Sequence, residues 1–201
     1  MNLINLKAIF FDFGHWYNGD QWAVANGTTE RVELLDLADD IKKYYTQIEE
    51  FKTIPVYYMW LGDTPDSLTD RCGKINKICR INWYNRTNSI LVSCHLNAGG
   101  WRGVESWYET GKIDSFDLGS HVSNAVSNTA NIPKRTTKPD SSNRFERLWI
   151  LRDTIPIATL TELCFIDNKD EAEMIKDKTK DDLFARGVLR GIKKYLWIVL
   201  K

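Results

Sequence analysis

The stretch AIFFDFGHWYNGDQWAVANGTTERVELLDLADDI, residues 8 to 41, joins two different periodicities across a polar loop. Residues 8 to 13 form an apolar run of strand length. From Glu30 onward the pattern changes. Leu34, Leu37, Ala38 and Ile41, continued by Tyr45 and Ile48, follow helical spacing and draw one apolar stripe. Thr29 reads as the N-cap, which sets Glu30 in the first turn, where a carboxylate suits the helix dipole. A strand, a loop that begins at His15 and a capped helix make the first unit of an α/β fold.

The rest of the chain repeats the theme. Strand-length apolar runs lie at 55 to 60, 89 to 94, 103 to 108 and 155 to 163, and a further strand is read at 147 to 152. Helical periodicity covers 67 to 84, 115 to 128 and 169 to 198, the last broken into two. Strands alternating with helices predict one α/β domain over 1 to 201, a twisted, mostly parallel mixed sheet with helices on both faces. Residues 131 to 143 (NIPKRTTKPDSSN) are polar and contain proline, and read as a long loop.

Composition limits the function classes. The chain of 201 residues carries 27 basic and 27 acidic side chains, a balance with no global attraction to nucleic acid or anionic lipid. The N-terminal MNLINLKAIFFDFGH lacks the apolar segment and small-residue site of a secretory signal, and no segment approaches the roughly 18 apolar residues of a membrane span. The 4 cysteines form no C-x-x-C pair and no disulfide pattern, so synthesis and folding in a reducing cytoplasm are expected. Among the 8 tryptophans, Trp16, Trp22, Trp101 and Trp107 lie in loop-like contexts, either lining a groove for sugar or peptide or serving as packing.

In open α/β sheets, ligands gather at the carboxyl ends of strands. His15 follows the first strand, His95 ends SILVSCH, Glu162 lies near the end of IPIATLTEL, and Glu30 at the first helix can share their rim. Two histidines and a carboxylate are a ligand set for catalytic zinc with a fourth position open to water. A carboxylate off the metal then moves the proton.

The segments DFGHWYNGD, TTERVELLDLADDI, SLTDRCGKIN, ILVSCHLNAGGWRGVESWY and IPIATLTELCFIDNKDEAEMI resemble, in order and wording, the zinc-dependent N-acetylmuramoyl-L-alanine amidases of the type 3 family. The resemblance runs from residue 12 to about residue 200. It implies zinc ligands at His15, Glu30 and His95, and a catalytic acid and base at Glu162. It also implies a structural Arg71 and Asn76, and an Arg135 of the kind that meets a peptide carboxylate. Asp12 is expected to orient the His15 loop or a zinc-bound histidine, and Asn97 to hold its loop or touch substrate. This chain departs from the family at Phe13, Trp16 and Tyr17, and at Cys164 in place of a glycine. Strand alternation would point Cys164 the same way as Glu162, as a small filler beside the pocket.

Other polar residues read more plainly. His121 is a surface or satisfied helical residue; Glu33 is the rival to Glu30, but the family spacing fits Glu30 better and a solvated helix charge explains Glu33; Glu105 could face the groove, with a structural role favoured. The resemblance implies a hydrolase of peptidoglycan (a muropeptide substrate), a phage-type lysis enzyme that reaches the wall through a membrane lesion. The rivals are a wall-binding module that no longer cuts and another zinc carboxypeptidase or deacylase of related architecture.

Overall fold

The computed structural model describes residues 6–14, 23–59, 67–180 and 182–199. Ala8–Phe13 forms β1, with every residue buried. Such an uninterrupted apolar run suits a central parallel strand covered on both faces. β1 pairs in parallel with β4 (Val56–Tyr58) on one side and β5 (Ser89–Asn97) on the other. β5 continues in parallel to β8 (Ile157–Phe165), which pairs antiparallel with β6 (Val104–Tyr108). β6 pairs in parallel with β7 (Lys134–Pro139), completing the order β4-β1-β5-β8-β6-β7. A two-residue pair, β2 (Val24–Ala25) and β3 (Thr28–Thr29), leads into the first helix.

Helices cover both faces, as the alternating pattern predicts. On one face lie α1 (Glu30–Tyr45), α3 (Ile113–Ala130) and α6 (Asp182–Val199), whose Leu34, Val122 and Val188 join Ile9, Phe11 and Val92 in the larger apolar cluster. On the other face, α2 (Leu68–Asn82) and α4 (Trp149–Arg152) contribute Ile75, Ile150 and Leu151, which pack on Phe10 and Leu91. A methyl group at Gly191 of α6 would fall 2.5 Å from Val122 Cα, so only glycine lets α6 approach α3 this closely. The last helical run is broken, as expected, into α5 (Lys169–Lys176) and α6.

Two sequence expectations are corrected. The stretch read as a long loop holds β7, an edge strand. Its Thr137 turns inward and is buried, while its Lys and Arg residues suit an unpaired edge, and Pro139, which lacks an N–H, is tolerated there. The expected strand at 147 to 152 contains α4 instead. Ile150 and Leu151 are adjacent and both buried, which one helical turn achieves and an alternating strand does not.

Candidate active site at the carboxyl ends of the central strands

Thr29 caps α1 by accepting a hydrogen bond from Val32 N at 3.3 Å. That fixes Glu30 as the first helical residue, and its side chain is buried against the end of β5. Glu30 Oε1 accepts the Leu96 N–H at 2.9 Å and lies 3.3 Å from His95 Nδ1. Glu30 Oε2 accepts the Ala23 N–H at 3.3 Å, so the helix start is tied to the loop before β2. Burial alone would lower the His95 pKa, but the hydrogen bond and charge of Glu30, with the charges of Glu162 and Asp12, outweigh it and raise the pKa.

Gly14 closes one side. Its N–H donates to Cys94 O at 3.0 Å, and a methyl group on it would fall 2.1 Å from His95 Cε1. The chain thus leaves β1 with its backbone against the His95 ring. His15 is the next residue and lies outside the described residues, as do Trp16 and Trp22. Among the described residues no three His, Cys, Asp or Glu side chains form a metal cluster. Two of the three expected ligands, Glu30 and His95, are together.

Glu162 stands directly across from His95 in the parallel β5–β8 register and across from Glu105 in the antiparallel β8–β6 register. Its Oε2 is buried and has no hydrogen-bond partner among the described residues. Burial pushes its pKa up to about 8. Glu30 and Glu105 add to the rise, while His95 and Lys138 oppose it. A carboxyl group that keeps its proton near neutrality, beside a histidine and a second carboxylate, is equipped for general acid and base work.

Asp12 lies three residues before His15, which is outside the described residues. It accepts from Ser93 Oγ at 2.6 Å and pairs with the buried guanidinium of Arg71. Asn76 acts structurally, bridging Asp153 O at 2.6 Å and Ile155 N at 2.9 Å. Asn97 donates to Glu105 Oε1 at 3.2 Å. Arg135, on β7 rather than in a loop, donates through Nε to Glu105 Oε2 at 2.8 Å. His121 lies half-buried on α3, tilted against the Tyr195 ring.

Glu33 and Cys164 depart from their sequence readings. Glu33 is 3% exposed rather than a solvated charge, and it takes the hydroxyl of Thr28, beside the cap of α1. Glu105, read as structural, is buried and accepts from both Arg135 and, at 3.0 Å, Lys138. Lys138 was not singled out at all. The only clue in GVESW was a carboxylate on the inward phase of a strand. Cys164 does not share the side of Glu162. Between His95–Glu162 and Asn97–Phe165 the register slips, so Leu96 alone opposes Leu163 and Cys164. The bulge places Cys164 in the larger apolar cluster, while Ala158 and Leu160 belong to the cluster beneath α2. Burial raises its thiol pKa well above the ordinary value, which keeps it neutral.

The family profile for N-acetylmuramoyl-L-alanine amidase matches residues 9–194. An endolysin of Bacillus phage SPP1 is 31% identical over 94% of this chain and 66% of its own length. The N-acetylmuramoyl-L-alanine amidase CwlM of Bacillus licheniformis is 27% identical over 92% of this chain and 67% of its own. The chain thus spans about two thirds of each of these curated relatives. Among solved structures, an N-acetylmuramoyl-L-alanine amidase from Clostridium difficile superposes with a TM-score of 0.78 at 26% identity, over 96% of this chain and 97% of that one. With these matches and the site's geometry in agreement, the chain belongs to the N-acetylmuramoyl-L-alanine amidase family of enzymes.

Proposed function

We propose that the chain, as one catalytic domain over 1 to 201, hydrolyses the amide bond between N-acetylmuramic acid and the L-alanine of the peptidoglycan stem peptide, with zinc held by His15, Glu30 and His95. The observation that carries this reading is the convergence of Glu30, His95 and Glu162 at the strand ends, with Oε2 of Glu162 buried and, among the described residues, without a hydrogen-bond partner. The donor set fits the metal. An imidazole nitrogen and a carboxylate oxygen stand 3.3 Å apart, and the backbone at Gly14 brings the chain to His95 just before the third ligand.

Zinc bound there supplies Lewis-acid polarisation of the scissile carbonyl and activation of water. The protein's own residues do the rest. Glu30 sets the first turn of α1 against β5 by accepting the Leu96 N–H, and so brings its carboxylate beside His95 Nδ1 as a second donor to the metal. Glu162 takes the proton of the attacking water and passes it to the nitrogen of the departing L-alanine. An amide nitrogen is a poor leaving group unless protonated, so the delivery is essential. The setting we favour is lysis of a bacterial wall by a phage-type enzyme, made in the cytoplasm and released through a membrane lesion. The similarity to the Bacillus phage endolysin supports it. Among the described residues, no helix is long and apolar enough to cross a membrane.

The test combines metal analysis with product analysis on purified peptidoglycan. About one zinc per chain, new L-alanine amino termini and no new reducing sugars are expected. Zinc with release from the peptide end only would make the protein a carboxypeptidase, and zinc with no product would make it a wall-binding module.

A further inference from the structure

Between α2 and α4 runs a groove that the catalytic cluster does not use. It holds about 560 Å³, a volume typical of small-ligand sites, and is bordered by Leu68, Gly73, Asn76 and Arg80 of α2 and by Trp149 and Asp153. It shares no residue with Glu30, His95 or Glu162. Its two ends differ. Leu68 opens α2 near the carboxyl end of β1, where Arg71 pairs with Asp12, whereas Asp153 stands just before β8 begins. The groove therefore leads from the catalytic rim down the flank of the sheet.

Trp149 forms one wall. It is 56% exposed, yet it is held, because Arg147 stands over its ring at 5.1 Å and donates to Asp153 Oδ1 at 2.5 Å. Asn76 fixes the spacing of the two sides, donating to Asp153 O and accepting the Ile155 N–H. Asp153 Oδ2 has no hydrogen-bond partner among the described residues.

The α2 side carries Gly73. Glycine is a poor helix former, and inside a helix it usually makes room for a neighbour, as Gly191 does for Val122. Gly73 is exposed, it has no positive φ, and a methyl group on it would meet nothing within 4 Å among the described residues. Packing gives no reason for a glycine here, whereas a groove floor kept clear for a ligand does.

A flat aromatic wall, a floor without a side chain and a few polar groups at the edge match a sugar ring, which turns a C–H face to an aromatic and hydroxyls to donors and acceptors. The described lining carries one cation, Arg80, and one anion, Asp153, so it suits a neutral ligand better than a polyanion. We propose that the groove between α2 and α4 is a saccharide site, in which Trp149 stacks on an N-acetylhexosamine of the wall glycan while the amide is held at the catalytic centre. The choice of this glycan rests on the amidase reading above.

The experiment titrates the full zinc-loaded chain calorimetrically with the β-1,4-linked tetramer of N-acetylglucosamine, a glycan that has no lactyl–peptide amide. Trp149→Ala, Gly73→Leu and Glu162→Gln are titrated alongside, with thermal unfolding and sedimentation recorded for each. Saturable binding at one site per chain is expected. Trp149→Ala should weaken it by about tenfold or more, the worth of one aromatic anchor. Gly73→Leu should weaken it comparably by filling the floor, and it should melt no lower than the wild type, because leucine is the better helix former. That variant keeps the test decisive if Trp149→Ala does not fold. Glu162→Gln should bind the tetramer as the wild type does, which places the saccharide away from the catalytic centre. No saturable binding, or binding that survives both groove substitutions, overturns the site. Self-association of the wild type that Trp149→Ala abolishes would give the groove to a second copy of the chain and overturns it as well. Binding that follows the groove variants in a protein that frees no L-alanine amino termini from peptidoglycan keeps the site and overturns the amidase reading.

Discussion

Glu162 and Glu105 face each other as direct cross-strand partners at one end of the antiparallel β8–β6 pair. Two like charges so placed repel. The structure resolves the conflict unequally. Glu105 is tied to Arg135 and Lys138, whereas Oε2 of Glu162 has no hydrogen-bond partner among the described residues and burial raises the Glu162 pKa to about 8. The two carboxyl groups thereby differ: one holds the cations on β7, and the other, on the proposed reading, is left to move protons.

Replacing Glu162 by Gln should reduce amide hydrolysis by about 10²–10⁴-fold, the usual worth of a positioned acid and base, with zinc content unchanged. The same variant has a pH signature in protein stripped of metal by a chelator. Burial raises the folded-state pKa from the ordinary 4.5 to about 8, so between those values the folded protein binds more protons than the unfolded one. Stability should therefore fall as pH rises through that window and level off above it. The Gln variant should lack the fall. Thermal midpoints across pH check it, and parallel curves for the two proteins would show that Glu162 ionises freely.

Gly14→Ala should cost zinc affinity and activity together. The added methyl would fall 2.1 Å from His95 Cε1 and 2.2 Å from Nδ1, so the ring or the backbone must shift. Overpacking of this kind costs about 1–3 kcal/mol, and the displaced ring is the one that faces Glu30. Zinc stoichiometry and urea unfolding measured on one preparation separate the two effects. A variant that keeps both full zinc and full activity would mean that the ring has room to move.

Arg71→Met should destabilise by about 3–5 kcal/mol, because the buried Asp12 would lose its cationic partner and keep, among the described residues, the Ser93 hydroxyl. The double variant Asp12→Leu with Arg71→Met should recover most of that loss, since a buried ion pair replaced by apolar groups is often close to neutral. Denaturant midpoints for the single and double variants give the coupling directly.

Asp140 should set the acid limit of the β7 region. It is fully buried and accepts from Arg152 Nη2 at 2.8 Å and from Thr110 Oγ1 at 2.7 Å. Burial opposes its ionisation, but Arg152 and Thr110 outweigh it and hold the carboxyl well below its ordinary 3.8. A depressed pKa contributes stability above the unfolded value and loses it as pH falls below about 3.8. Asp140→Asn should therefore destabilise at neutral pH by roughly 1.5–3 kcal/mol, the worth of a hydrogen-bonded charge. The gap to wild type should close in acid.

Much of this protein was legible along the chain itself. β1 is a solid apolar run, α1 carries a helical stripe behind a threonine cap, and the order of strands and helices gives the α/β class. These are local patterns, imposed by the burial of one strand or one helix face. His95, Glu162 and Glu30 could be nominated because strand ends and helix starts lie where such sheets bind ligands.

Tertiary contacts decided the rest. Only pairing with β6 turns the polar KRTTKP segment into an edge strand, and only that strand delivers Arg135 and Lys138 to Glu105. The slip opposite Leu96 removes Cys164 from the side of Glu162. Glu33 is buried because the β3–α1 junction folds over it, although its neighbours Val32 and Leu34 alone suggest an ordinary helix charge. Each of these depends on which strand or loop becomes a neighbour across the sheet. That choice is made by contacts between residues distant in sequence, so the period of a single segment carries no record of it.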